Sequence, residues 1–176
     1  MAAQNVSGNI NVNIALTEYS TAGSVPGSSQ YSTNQAISTA LTYATATAGA
    51  IDTIYASTLS LAAAVTTLNL HSGLTDPLGN SIAFGRVRFW IVQNTATTAG
   101  YLINLYTLTG TDPLLWLPLV TTATLWIPAG GILMGIDSQS TSTNGWLVTA
   151  AHYTFSLDPG GNTVPCNVII AGNTAA

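Results

Sequence analysis

Ionic side chains are nearly missing from this chain. Among its 176 residues there is no lysine, and Arg86 and Arg88 are the only arginines. The acids number six: Glu18, Asp52, Asp76, Asp112, Asp137 and Asp158. Charged residues therefore make up 5% of the chain, against roughly 25% in ordinary soluble domains. Nucleic-acid binding is disfavoured, because neutralising phosphates takes several Lys or Arg. Steering toward an anionic membrane surface fails for the same reason. Solubility must rest on Ser, Thr, Asn and Gly, and a free monomer of that kind tends to associate. The simplest resolution is that much of the surface is buried between subunits.

Other absences narrow the reading further. A single cysteine, Cys166, excludes an internal disulfide framework and leaves the redox compartment open. Mean hydropathy is +0.40, yet no stretch reaches the roughly 18–20 apolar residues that span a bilayer. The densest run, Leu114–Val120, is short and contains Pro118. The opening residues, MAAQNVSGNINVN, lack a basic region followed by an apolar block, so no secretory signal is expected there.

What is present favours strands. The chain is 47% hydrophobic, enough for a substantial core in one domain. Val, Ile, Thr and aromatic residues abound, and short apolar runs recur between Gly, Pro, Asn and Asp punctuation. Residues 1–12 are polar and Asn-rich and read as an arm. Val12, Ile14 and Leu16 alternate with polar partners as a first strand would. The Gly/Ser-rich stretch 20–34 reads as a loop or linker. Residues 36–48 fit a helix by their alanines and strands by their Thr and Tyr alternation, and extended structure is the favoured reading.

Signals sharpen after Gly49. Strand segments are expected at 51–56, 57–62, 65–70, 84–92, 101–108, 114–119, 124–127, 132–136, 146–150, 153–157 and 164–171. Strict alternation over 84–92 places Val87, Phe89 and Ile91 on one face and Arg86, Arg88 and Trp90 on the other. Cys166 falls in phase with Val164, Val168 and Ile170, as a small buried hydrophobe would. Roughly eight to eleven short strands is the number expected of a two-sheet sandwich or jelly roll. The expected fold is therefore all-β: a jelly-roll-like or β-sandwich domain over 35–176, behind an extended N-terminal arm and linker over 1–34.

A search for chemistry finds little. His71 and His152 are the only histidines, and each reads more readily as a locally bonded residue than as a base or metal ligand. Two histidines and one cysteine, far apart in sequence, do not make a zinc site. Asp76 or Asp137 could serve calcium with nearby carbonyls, but no EF-hand spacing exists. Asp76-Pro77, Asp112-Pro113 and Asp158-Pro159 read as turn initiators. Gly130-Gly131 and Gly160-Gly161 lack phosphate-loop spacing and read as hairpin turns. No catalytic residue, metal or cofactor is expected. Trp90, Trp116, Trp126 and Trp146, with Tyr101, Tyr106 and Tyr153, could form a sugar-stacking platform, though packing is the commoner use. Arg86 and Arg88 have two readings: anchors for carboxylates on a neighbouring subunit, or a solvent-facing pair with intramolecular Asp partners.

Several blocks, taken in order, carry a resemblance: IDTIYASTLSLAA, LNLHSGLTDPLGNSIAFGRVRFWIVQNT at 68–95, IPAGGILMGID at 127–137, GWLVTAAHYTFSL at 145–157 and NVIIAG at 167–172. From about Asp52 onward the chain resembles small bacteriophage structural proteins of the decoration or cement type. The resemblance implies a jelly-roll-like domain bound to the outside of a capsid, often as a homotrimer on a major capsid protein, and no catalytic motif. The expected role is that of a virion structural protein. A receptor- or glycan-binding fibre head and a subunit of an extracellular β filament are the alternatives. Candidate assembly contacts are Asn5, Val6, Asn9, Ile10 and Asn11 in the arm, reaching a neighbour's sheet edge, with Arg86, Arg88 and Trp90.

Overall fold

The computed structural model describes residues 8–19, 30–41, 51–106, 125–136 and 146–174, the first two stretches as paired backbone. Two compact units emerge, one over residues 7–42 and one holding the other described residues. Thirteen strands and no helix occur among the described residues. The all-β expectation holds.

In the smaller unit, β1 (Gly8–Tyr19) and β2 (Gln30–Leu41) form an antiparallel two-stranded ribbon. Residues 8–12, expected in an arm, belong to β1, and residues 30–34, expected in a linker, belong to β2. The β-period of Ile10, Val12, Ile14 and Leu16 extends further toward the N-terminus than the Asn-rich composition implied. Val12 pairs with Ile37 and Ile10 with Thr39.

The larger unit contains β3 (Thr53–Leu61), β4 (Thr66–Asn69), β5 (Leu74–Thr75), β6 (Ser81–Ile82), β7 (Arg86–Asn94), β8 (Ile103–Tyr106), β9 (Leu125–Ile127), β10 (Ile132–Ile136), β11 (Trp146–Leu147), β12 (Thr154–Asp158) and β13 (Val164–Asn173). One sheet runs β10-β7-β13-β3, with β11 also on β7, and a second runs β4-β12-β8-β9. All pairings are antiparallel. They are also nested: β3 pairs β13, β4 pairs β12, β7 pairs β10 and β8 pairs β9. The chain thus runs out and back as one long double strand, and the further pairs β13–β7 and β12–β8 arise as it wraps.

One core cluster draws on both sheets. Val87, Trp90, Val92, Val164, Cys166, Val168 and Ile170 come from the first, and Leu68, Ile103, Leu105, Ile127, Phe155 and Leu157 from the second. Trp90 meets Phe155 edge-on at 5.8 Å between ring centroids, which joins the sheets directly. Each fully buried large side chain contributes about 1.5–3 kcal/mol, offset by the entropy of ordering the chain. The expected phase of β13 is borne out, since Val164, Cys166, Val168 and Ile170 are all fully buried. Burial raises the Cys166 thiol to about 11, because the thiolate would lose its water. Pro165 is tolerated near the start of β13, one residue before the β7 ladder begins at Cys166.

Turn chemistry follows the acids. Asp76 Oδ1 accepts from the Leu78 and Asn80 backbone amides at 2.9 and 2.8 Å, and its Oδ2 accepts from Asn80 Nδ2 at 2.9 Å, closing the β5–β6 turn. Asp158 Oδ1 accepts from the Gly160 amide at 2.9 Å. Both behave as the Asx turns expected of Asp-Pro. The expected strand at 114–119 lies outside the described residues, as do Asp112 and Asp137.

Candidate assembly surface

The expected alternation of β7 fails at one point, and the register shows why. Ala171 pairs with Phe89 and Gly172 with Val87, so the register skips Arg88 as the extra residue of a bulge. This bulge reverses the phase of everything after it. Val87, Trp90 and Val92 therefore share the core cluster, where strict alternation placed Val87 and Trp90 on opposite faces. The bulge requires Gly172. A Cβ there would lie against the Arg86 carbonyl and 3.0 Å from Val87 Cα.

The same geometry corrects part of the candidate contact set. Arg88 is 3% exposed and Trp90 6%, so both are covered by their own chain and offer no surface to a neighbour. Arg86 is half-buried at the start of β7. Asn9, Ile10 and Asn11 lie in β1, opposite Ala40, Thr39 and Ser38. Asn5 and Val6 lie outside the described residues. Among the expected aromatics, Trp146, Tyr101 and Tyr153 are half-buried, Trp126 is exposed, and Trp116 and the Tyr106 side chain lie outside the described residues. Trp146 packs 6.4 Å from Trp90 between ring centroids.

Among the described residues, neither histidine belongs to a group of three or more His, Cys, Asp or Glu. His71 is exposed, its backbone amide donates to Asn69 Oδ1 at 3.0 Å, and its ring lies 6.5 Å from that of Tyr153. The His152 amide donates to the Thr149 carbonyl at 3.1 Å in a tight turn. Asp52 is engaged at the chain's far end, accepting from the Thr174 amide at 2.9 Å and its hydroxyl at 3.0 Å. No group of three or more His, Cys, Asp or Glu gathers as a metal site among the described residues.

The outer face of the first sheet is the feature the sequence reading missed. The registers align two cross-strand rows there. One is Ile132, Gln93, Asn167 and Thr58; the other is Met134, Ile91, Ile169 and Ala56. Neither row contains a charged residue. Ile132 is 53% exposed, and Met134, Ile136 and Ile169 are exposed beside it. A ladder of side-chain amides crosses this apolar surface. Thr58 Oγ1 donates to Asn167 Oδ1 at 2.9 Å, and Asn167 Nδ2 donates to Gln93 Oε1 at 3.1 Å. The ladder lies in a shallow depression of about 430 Å³, whose lining also includes Ala56, Ile91 and Ile169. Part of this was readable: if Cys166, Val168 and Ile170 face in, Asn167 and Ile169 must face out. The remainder was not, because β10 (ILMGI) is apolar at every position and carries no alternation.

Chemically, the face can bury apolar area and satisfy a few amide hydrogen bonds. The two rows hold no ionised side chain with which to move protons or hold ions. No helix among the described residues is long and apolar enough to cross a membrane. No protein-family model, curated protein or solved structure matches the chain.

Proposed function

We propose that this chain is a virion structural protein, a jelly-roll domain that binds the outside of a phage head and stabilises it through contacts with its own copies and with the shell protein. The observation that carries the proposal is the pair of exposed, uncharged cross-strand rows on the β10-β7-β13-β3 sheet. Large apolar patches on soluble proteins mark interaction sites, and burying such surface yields about 25 cal/mol per Å² before association costs. Repetition on a lattice multiplies weak contacts into firm attachment. The nested pairing of β3 with β13 through β8 with β9 supports the jelly-roll reading, since that architecture is a double strand wrapped into two facing sheets. The resemblance of the ordered blocks to decoration-type proteins favours the same role. The mechanism is mechanical: subunits are covered and cross-linked, and no bond is made or broken.

Imaging of the source particle tests this. Regular density for this chain on the outer capsid surface is the expected result, and its absence from that surface would sink the proposal. A second reading, glycan binding, draws on Trp126, which is 48% exposed on β9. Quenching of tryptophan fluorescence by simple sugars, abolished in Trp126→Ala, would favour it instead.

A further inference from the structure

Strand β3 is an undefended sheet edge. It runs nine residues, TIYASTLSL, and pairs on one side only, with β13. Its other edge carries no hydrogen bond among the described residues. Edge strands of soluble proteins are ordinarily shortened, bulged or armed with charge or proline, because an open row of N–H and C=O groups templates another strand. None of these devices occurs in β3. Its register with β13 is unbroken from Thr53 to Leu61. The segment contains no proline and no ionic residue, and Ala56, Thr58 and Ser60 are exposed. Within the two facing sheets of the larger unit, the other edge strands are short: four residues in β4, three in β9 and five in β10.

We infer that β3 is the site where a second copy of this chain adds its own β3, antiparallel across a two-fold axis. The inference rests on the self-association in the proposed function and names the contact that makes it. Three observations select a second copy over an unrelated strand. An antiparallel pair of one segment is self-complementary, so a pairing centred on Ser57 uses all nine residues of both copies. Net charge is −4 over 176 residues, and none of it lies in the edge, so two copies meet without local repulsion. The outer-face rows also end at this edge, in Thr58 and Ala56. Pairing there continues both rows into the partner, which doubles the width of the uncharged rows offered to the shell.

The test uses the full chain at low and high concentration. Light scattering coupled to gel filtration is expected to show a concentration-dependent pair. Ala56→Lys with Thr58→Lys places exposed like charges against their counterparts, and at least a tenfold rise in the dissociation constant is expected, with circular dichroism unchanged. Hydrogen exchange on the unmodified protein supplies a readout that needs no variant. Amides of β3 should lose protection on dilution while those of β13 keep it. A monomer at all concentrations overturns the inference, as does a pair or trimer indifferent to the two lysines or to β3 protection. Decoration of the particle is scored separately with the same proteins. Lysine variants that still bind a shell as monomers leave the proposed function standing, whereas a paired protein absent from the shell refutes that function and keeps the contact.

Discussion

Asn94 ties the two sheets together, and removing its side chain is expected to cost about 3–5 kcal/mol. The residue is fully buried at the end of β7. Its Nδ2 donates to the Tyr101 carbonyl at 2.8 Å and the Ile127 carbonyl at 3.0 Å, and its Oδ1 accepts from the Ala96 amide at 3.0 Å. Its backbone also accepts from the Gly130 amide at 3.0 Å and donates to the Gly131 carbonyl at 2.9 Å. Asn94→Ala leaves the Ala96 amide and the Ile127 carbonyl buried without this partner, at about 1–2 kcal/mol each. Tyr101 is only half-buried, so the lost bond to its carbonyl is expected to add less. The vacated volume adds about 1 kcal/mol more. For a chain of this size the melting temperature should fall by about 6–20 °C. Urea unfolding followed by tryptophan fluorescence measures the difference. Asn94→Asp refines it: a carboxylate there would face two carbonyl oxygens. Its folded-state pKa must then rise above the usual value of about 3.9. Stability of that variant is therefore greatest below pH 4 and lost as pH climbs. A loss under about 1 kcal/mol for Asn94→Ala, or an Asp variant as stable as the parent at pH 7, would refute the reasoning.

Three further outcomes follow from the packing. Because Cys166 is raised to about 11 in the fold against 9.0 ordinarily, its contribution is complete below pH 9. About 2–3 kcal/mol is lost as pH rises from 9 to 11, and Cys166→Val should flatten that alkaline slope in denaturation curves. Gly172→Ala should destabilise more than Gly135→Ala, as chemical denaturation will show. The first Cβ meets β7 backbone, and the second meets the Trp90 and Trp146 rings, whose near-ultraviolet dichroism should change. Asp76→Ala removes three accepted hydrogen bonds from the β5–β6 turn and should cost about 2–3 kcal/mol by thermal melting.

The sequence made local chemistry legible wherever a single strand or turn decides the outcome. The burial of Cys166 with Val164 and Val168 and the Asx turns of Asp76 and Asp158 needed only period two and turn preference. The phase of Arg88 and Trp90 needed knowledge of a second strand, because the bulge exists only where β7 meets Gly172. Asn94 escaped notice for a related reason: its three partners lie 2, 7 and 33 residues away and converge only in the fold. The apolar outer face of the sheet is likewise a property of four strands in register, and β10 alone gives no hint which of its side chains look outward.

The nested order of the strands carries a kinetic consequence. Thr58 and Asn167, which touch directly, stand 109 positions apart along the polypeptide. Closing so wide a loop in one step is entropically costly, and topologies rich in such distant partners fold slowly. Zipping outward from the β8–β9 pair divides that closure into smaller increments. A fragment ending before Val164 would lack the strand that separates β3 from β7, and both would be left to seek partners in other molecules.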